Sequence, residues 1–469
     1  MSQPSQAHPF MANALPDIKQ EMLDVLGIDS VEALFEQIPQ AHRLQKLPEL
    51  MGGMRSEMTL SRHLREILGR NRNCAETLSF LGGGCWQHHV PAICNEIAGR
   101  SEFLTSVWGT PSSDQGRCQA WFEFSSQLGE LVACEYVGLP VYSWGCAAGH
   151  ALRMASRLNG RSTLLLPTII DPERLAVIRN YCEPDMANEL ILEFVDADPL
   201  TGAMDLQDLQ RKLGEHVAAV YVETPNYFGL IDGGATRIGE LTHAAGAEFV
   251  VGVDPISLGV LAPPPEYGAD IVVGTIQTLG IPMYGGGGLG GFIATRDEER
   301  YAREYPTLLI SITTTLRPGE VGFGLSLAEQ SSYGLRENGK DWTGNSVYLW
   351  AIANAVYMSL MGPQGFVDVG ELIFAQAHLA ARRLNELPGV SIRYGDSFFK
   401  EFVVDFNASG QTVDAINQRL LAQGIFGGHD LSQEFPALGQ SALYCVTELH
   451  QDADIERLVD ALREVLKHD

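Results

Sequence analysis

Between residues 163 and 294 the chain alternates short apolar runs with helical stretches, a pattern that few folds accept. RSTLLLP (161–167), LILEFV (190–195), VAAVYVE (217–223) and EFVVGV (248–253) read as buried strands. Between them lie PERLAVIRNYC (172–182), MDLQDLQRKLG (204–214) and IGELTHAAG (238–246), each long enough for a helix. Asp171 followed by Pro172 reads as an N-cap with proline at the first helical position. Strands joined by crossover helices pair in parallel, so the sequence predicts an α/β protein with a doubly wound, mainly parallel sheet. Ligands of such sheets sit beyond the carboxyl ends of the strands, where Glu223-Thr224-Pro225-Asn226 and Asp254 fall.

Two further apolar runs, Asp270 to Val273 and Gly291 to Ala294, complete this region. An acid at one strand end and a polar residue at the end of the next is the layout of a pyridoxal phosphate (PLP) site. There the carboxylate holds the pyridinium nitrogen and a lysine further along forms an imine with the cofactor. In this chain Asp254 is present, but Gln277-Thr278 stands where the lysine is expected. The six lysines are Lys19, Lys46, Lys212, Lys340, Lys400 and Lys467, and none lies between Lys212 and Lys340. An amide or a hydroxyl cannot form the imine.

The run VDPISLGVLAPPPEYGADIVVG, followed by Gln277, Leu279-Gly280-Ile281-Pro282 and a glycine cluster, resembles the alpha subunit (subunit 1) of the two-subunit P-protein of the glycine cleavage system. The resemblance runs from about residue 17 to the C-terminus. It implies a fold-type I PLP-dependent transferase-like fold with a smaller α+β C-terminal domain. In that family only the paralogous beta subunit carries the lysine and the PLP, so the missing lysine is what the resemblance implies, and no cofactor-binding residue is expected on this chain. Asp254 and Gln277 then mark a degenerate cofactor site. The implied partners are a PLP-binding beta subunit in an α2β2 assembly, lipoylated H-protein and a small amino-acid substrate.

Three other stretches carry chemistry. Gly82-Gly83-Gly84 leads into Cys85-Trp86-Gln87-His88-His89-Val90-Pro91, where the resemblance puts His88 at the cleft wall and a satisfied structural histidine is the competing reading. FLTSVWGTPSSDQG (103–116) matches a family loop facing substrate; it keeps Gln115-Gly116 but changes the preceding residues. His88 and Gln115 are the catalytic candidates, with Trp108, Ser112 and Ser113 as substrate-loop candidates. YSWGCAAGHALRMASRL (142–158) opens a helix whose N-terminus could hold an anion. Residues 303–350 read as polar loops over the cleft, with Arg317 and Thr343-Gly344-Asn345-Ser346 in positions of family interest. Gly285, Gly287 and Gly290 match the letters of a dinucleotide fingerprint but precede a strand, which argues against that use.

The chain of 469 residues is long enough for two or three structural units: a helical arm over 1–70, a large α/β domain over 71–349 and a small α+β domain over 350–469. Asp29 is the expected cap of a helix over DSVEALFEQI, with Glu32 in capping-box position. AIANAVYMSLMG and ELIFAQAHLAARRLNEL read as two helices, and FFKEFVVDF as a strand. Net charge is −26 with no basic cluster, so nucleic acid and anionic membranes are poor partners. Eight scattered cysteines and no secretory signal pattern point to the cytoplasm. Cys85-x-x-His88-His89 lacks a second ligand pair, so no metal site is expected.

The leading reading is a non-PLP-binding alpha subunit of a heteromeric glycine decarboxylase, catalytically incomplete alone, which helps pass the aminomethyl group to H-protein. A paralogous enzyme acting on another amino acid or amine, and a non-catalytic scaffold, are the alternatives.

Overall fold

The computed structural model describes residues 10–467 apart from residues 12, 14, 45, 47, 50–52, 55, 105–110, 184–189, 287, 328–331 and 341–346. The chain divides into two units, Met1–Arg72 and Asn73–Asp469. In the first, helices α1 (Pro16–Leu26) and α2 (Glu57–Leu68) flank two short 3-10 turns. Leu23 is its one buried hydrophobic among the described residues. The expected cap differs here. Ser30, not Asp29, precedes the helical turn Val31–Phe35, which is 3-10 and has no side-chain cap.

In the second unit α3 (Pro111–Val132) leads into a seven-stranded sheet. Its strands are β1 (Tyr136–Val137), β2 (Thr163–Pro167), β3 (Ile191–Val195), β4 (Val217–Glu223), β5 (Glu248–Val253), β6 (Ile271–Thr275) and β7 (Gly291–Thr295). Their order is β1-β7-β6-β5-β4-β2-β3. The five strands β2 to β6 pair in parallel, and β7 and β1 turn antiparallel at one edge. Helices α4 (Trp144–Asn159), α5 (Pro172–Cys182), α6 (Leu206–Lys212) and α7 (Ala235–Ala244) provide the connections. Every residue of β4, β5, β6 and β7 is buried, as strands covered on both faces must be. Asp171 caps α5 as expected, accepting from Glu173 N.

Residues 309–326 are not the loop expected from sequence. β8 (Leu309–Thr314) and β9 (Val321–Ser326) form an antiparallel hairpin turning at Pro318-Gly319. Next come the two expected helices, treated together as α8 (Tyr348–Asn385) and meeting at Gly362, whose non-helical backbone (φ 57°) precedes Pro363. Phe366 and Ile373 on α8 pack into the core of the large sheet, whereas Ala377, Ala380 and Leu384 pack into a second core. That second core belongs to an antiparallel sheet of β10 (Ser391–Ile392), β11 (Glu401–Asp405), β12 (His429–Asp430) and β13 (Ser441–Cys445), ordered β10-β11-β13-β12. Helices α9 (Val413–Ala422) and α10 (Asp452–Val465) cover it. The apolar stripe of α10 is inside: Ile455, Leu458, Val459, Leu462 and Val465 are buried. Among the described residues no helix is long and apolar enough to cross a membrane.

Candidate functional site

Asp254 directly follows β5, so the parallel strands present its carboxylate at the carboxyl end of the sheet, as the sequence predicts. Its Oδ1 accepts hydrogen bonds from the Thr278 hydroxyl at 3.1 Å and from Ile256 N at 3.2 Å. Its Oδ2 lies 2.7 Å from the ammonium of Lys400, which immediately precedes β11 in the other sheet. Both side chains are about 5% exposed. The ammonium also sits over the Trp86 ring, 3.5 Å from its centroid, and 3.2 Å from His88 Nε2.

These contacts fix the histidine. An ammonium only donates, so Nε2 accepts and Nδ1 carries the proton. Nδ1 then donates to Glu448 Oε2 at 2.8 Å, while Glu448 Oε1 accepts from His89 N at 2.6 Å. Burial works against ionising Glu448, but its contact with His88 and the His89 N–H hold the carboxyl down at about 2. Carboxylate, ammonium, imidazole and carboxylate thus run in an unbroken line from the large sheet to the small one.

A second buried cluster flanks the first. The Arg174 guanidinium stacks 3.8 Å from the Trp144 ring centroid and donates to Glu223 Oε2 at 2.6 Å. Tyr221 OH donates to Glu223 Oε1 at 2.7 Å and receives Trp144 Nε1 at 3.1 Å. Burial lifts the Glu223 carboxyl, with Arg174 and Tyr221 opposing. Glu401, beside Lys400, accepts from Gly83 N at 2.7 Å. Gly83 has φ +86° and Gly84 φ +98°, so the Gly82-Gly83-Gly84 turn uses glycine's left-handed freedom to deliver Trp86 and His88 into the site.

A family model described as "Glycine cleavage system P-protein" matches residues 13–462. The chain belongs to the P-protein family. Two relatives named "Probable glycine dehydrogenase (decarboxylating) subunit 1" align along almost their whole length. That of Staphylothermus marinus is 35% identical over 467 residues, 98% of each chain. That of Pyrococcus furiosus is 38% identical over 454 residues, 96% of this chain and 98% of the other. A crystal structure of glycine decarboxylase (P-protein), in inhibitor-bound form, superposes with a TM-score of 0.83 at 32% identity, covering 98% of this chain and 100% of that one. A sphingosine-1-phosphate lyase of Burkholderia pseudomallei shares the fold, with a TM-score of 0.64 at 16% identity over 91% of this chain and 93% of that one.

The fold is fold-type I, and the residues of this P-protein chain do not fit PLP. Gln277 offers no amine. Its amide instead binds the Trp86 backbone, accepting from Trp86 N at 3.3 Å and donating to Trp86 O at 3.0 Å. Lys400 takes the carboxylate that would hold a pyridinium nitrogen, and its amine is engaged in that ion pair. The cavity left among Gly84, Trp86, Arg174, Glu223, Asp254 and Lys400 has about 20 Å³, room for roughly one water. At the start of α4 the Ser143 hydroxyl already accepts Cys146 N at 3.2 Å, so one donor of the expected anion site is engaged.

Of the residues singled out in the sequence, Asp254, Gln277 and His88 come together here. His88 is bonded to two side chains, Lys400 and Glu448. Trp108 lies outside the described residues, as do Thr343-Gly344-Asn345-Ser346. Ser112, Ser113 and Gln115 fall in the first turns of α3, with their side chains outside the described residues. Arg317 is solvent-exposed at the hairpin tip. Sequence reasoning passed over Lys400, Glu448 and Arg174. A signal existed for the first: Lys400-Glu401 interrupts an apolar strand, and charges there must find partners.

Proposed function

We propose that this chain is the first subunit of a split glycine decarboxylase, with PLP on a second, lysine-bearing paralogue. The observation that carries the reading is the near full-length P-protein match of a chain whose own aldehyde site is closed by Lys400 on Asp254. PLP supplies the electron sink for decarboxylation, and the aminomethyl group passes to lipoylated H-protein. This chain's part is to complete the active site across the interface. The buried line from Asp254 to Glu448 holds the 82–90 turn rigid, and the segment 108–115, with Trp108, Ser112, Ser113 and Gln115, is the part we assign to the substrate side. All eight cysteines are free, which suits a reducing cytoplasm.

The test is borohydride reduction with PLP of the chain alone, then of the chain with its second subunit, followed by mapping of the modified lysine. Label only on the second subunit, together with glycine-dependent carbon dioxide exchange in the pair, is the expected result. Label on this chain, or no exchange with glycine, would remove the reading.

A further inference from the structure

We infer that the Lys400 ammonium is a built-in occupant of the cation position against Asp254, turning this chain's aldehyde site into a permanent lock between its two sheets. The inference goes beyond the functional reading, since it concerns this chain alone and holds whichever amino acid the two-chain enzyme decarboxylates.

Three observations carry it. Asp254 is buried at a strand end of the large sheet and its Oδ2 meets a cation at 2.7 Å, an ion-pair contact. That cation is covered by an aromatic ring, Trp86, whose centroid is 3.5 Å away. Trp86 is held in turn by Gln277, the residue standing where the imine-forming lysine is expected. So the substituted position, the substituting cation and the covering ring are one connected unit. The third ammonium contact, to His88 Nε2 at 3.2 Å, extends it to Glu448. A carboxylate this deep in the protein is unfavourable without a counter-charge. Lys400 supplies it in cis, from the other sheet, at all times.

The lock makes two measurable demands on the full-length chain co-purified with its second subunit. The first is energetic coupling. Lys400→Met strands the Asp254 carboxylate and Asp254→Asn strands the ammonium, so each single variant should melt several degrees lower than wild type. The double variant removes both charges and should recover most of that loss. Single variants that fail to fold beside a double that folds would say the same. A double variant as damaged as the two losses added together overturns the inference.

The second demand is cation selectivity. Lys400→Ala leaves a hollow beside Asp254, and ethylammonium should fill it. A saturable rise in melting temperature is expected for this variant, absent in wild type, absent with ethanol, and absent in Lys400→Ala/Asp254→Asn. An equal response in wild type, or a folded Lys400→Ala variant indifferent to ethylammonium, overturns it. Glycine turnover by the pair is a separate readout. Its failure would remove the functional reading and leave the coupling and the cation response as they stand.

Discussion

Gln277 grips Trp86 by its backbone, with the amide oxygen on Trp86 N at 3.3 Å and the amide nitrogen on Trp86 O at 3.0 Å. Trp86 and Gln277 are 4% and 1% exposed, so water cannot replace these bonds if they are lost. Gln277→Ala should cost about 1–3 kcal/mol, the penalty of stranding buried backbone groups. Denaturant titration checks this, and a loss below a few tenths would refute the structural role. Gln277→Lys should likewise destabilise, and should not produce imine absorbance with PLP while Lys400 remains on Asp254.

Arg174 is the sole cation in contact with Glu223 among the hydrogen bonds and ion pairs of the described residues, and its ring partner is Trp144. Arg174→Met should lower stability by about 3–5 kcal/mol, because it leaves a buried carboxylate unpaired. Arg174→Lys should recover only part of this, since an ammonium lacks the planar face that stacks on Trp144 and the fork that reaches both Glu223 and Asp171. Paired melts of the two variants decide the point.

Glu448 gives a pH dependence with a definite sign. Its carboxyl is depressed in the folded chain, from 4.5 to about 2, so the folded state favours the ionised form. The stabilisation is therefore fully present above pH 4.5 and is lost as pH falls from there towards 2. With His88 neutral the stabilisation comes from its Nδ1–H and the His89 N–H, on the order of 1.5–3 kcal/mol for hydrogen bonds to a charged group. Glu448→Gln should flatten this acid limb while leaving the slope above pH 5 unchanged, measured by denaturation across a pH series.

Cysteine reactivity should follow burial. Cys74 and Cys85 are half-buried and the other six are buried. Burial raises the Cys134 and Cys182 thiols to about 12, leaving almost no thiolate at neutral pH. Brief alkylation of the native chain should label Cys74 and Cys85 first, with Cys134 and Cys182 labelled only on unfolding. Mass spectrometry of timed samples would show early Cys182 labelling if this were wrong.

The large sheet was legible because its central strands are buried on both faces and read as apolar runs, from Leu164 to Ala294. Asp254 was legible because its strand ends there, and the missing lysine because Gln277 occupies a fixed distance beyond it. The hairpin 309–326 was not. Its apolar residues do alternate, Ile310 and Ile312 in β8 and Val321, Phe323 and Leu325 in β9, and Pro318-Gly319 is a turn signal, but the runs are short and broken by polar residues and glycines, which read as loop. Nor could the partner of Asp254 be read. Lys400 lies in another sheet, and no local spacing connects His88 with residues 312 and 360 positions away. Such contacts are set by tertiary packing alone.

Helix α8 has a consequence for how the chain moves. After Gly362 it runs unbroken, with Phe366 and Ile373 anchored in one core and Ala377, Ala380 and Leu384 in the other. Gly370 falls within the first of these anchors, between Phe366 and Ile373, and a side chain there would meet Val260 at 3.0 Å, so the glycine permits a close seat rather than a pivot. A beam built into both halves resists hinge bending. The C-terminal sheet therefore travels with the large one.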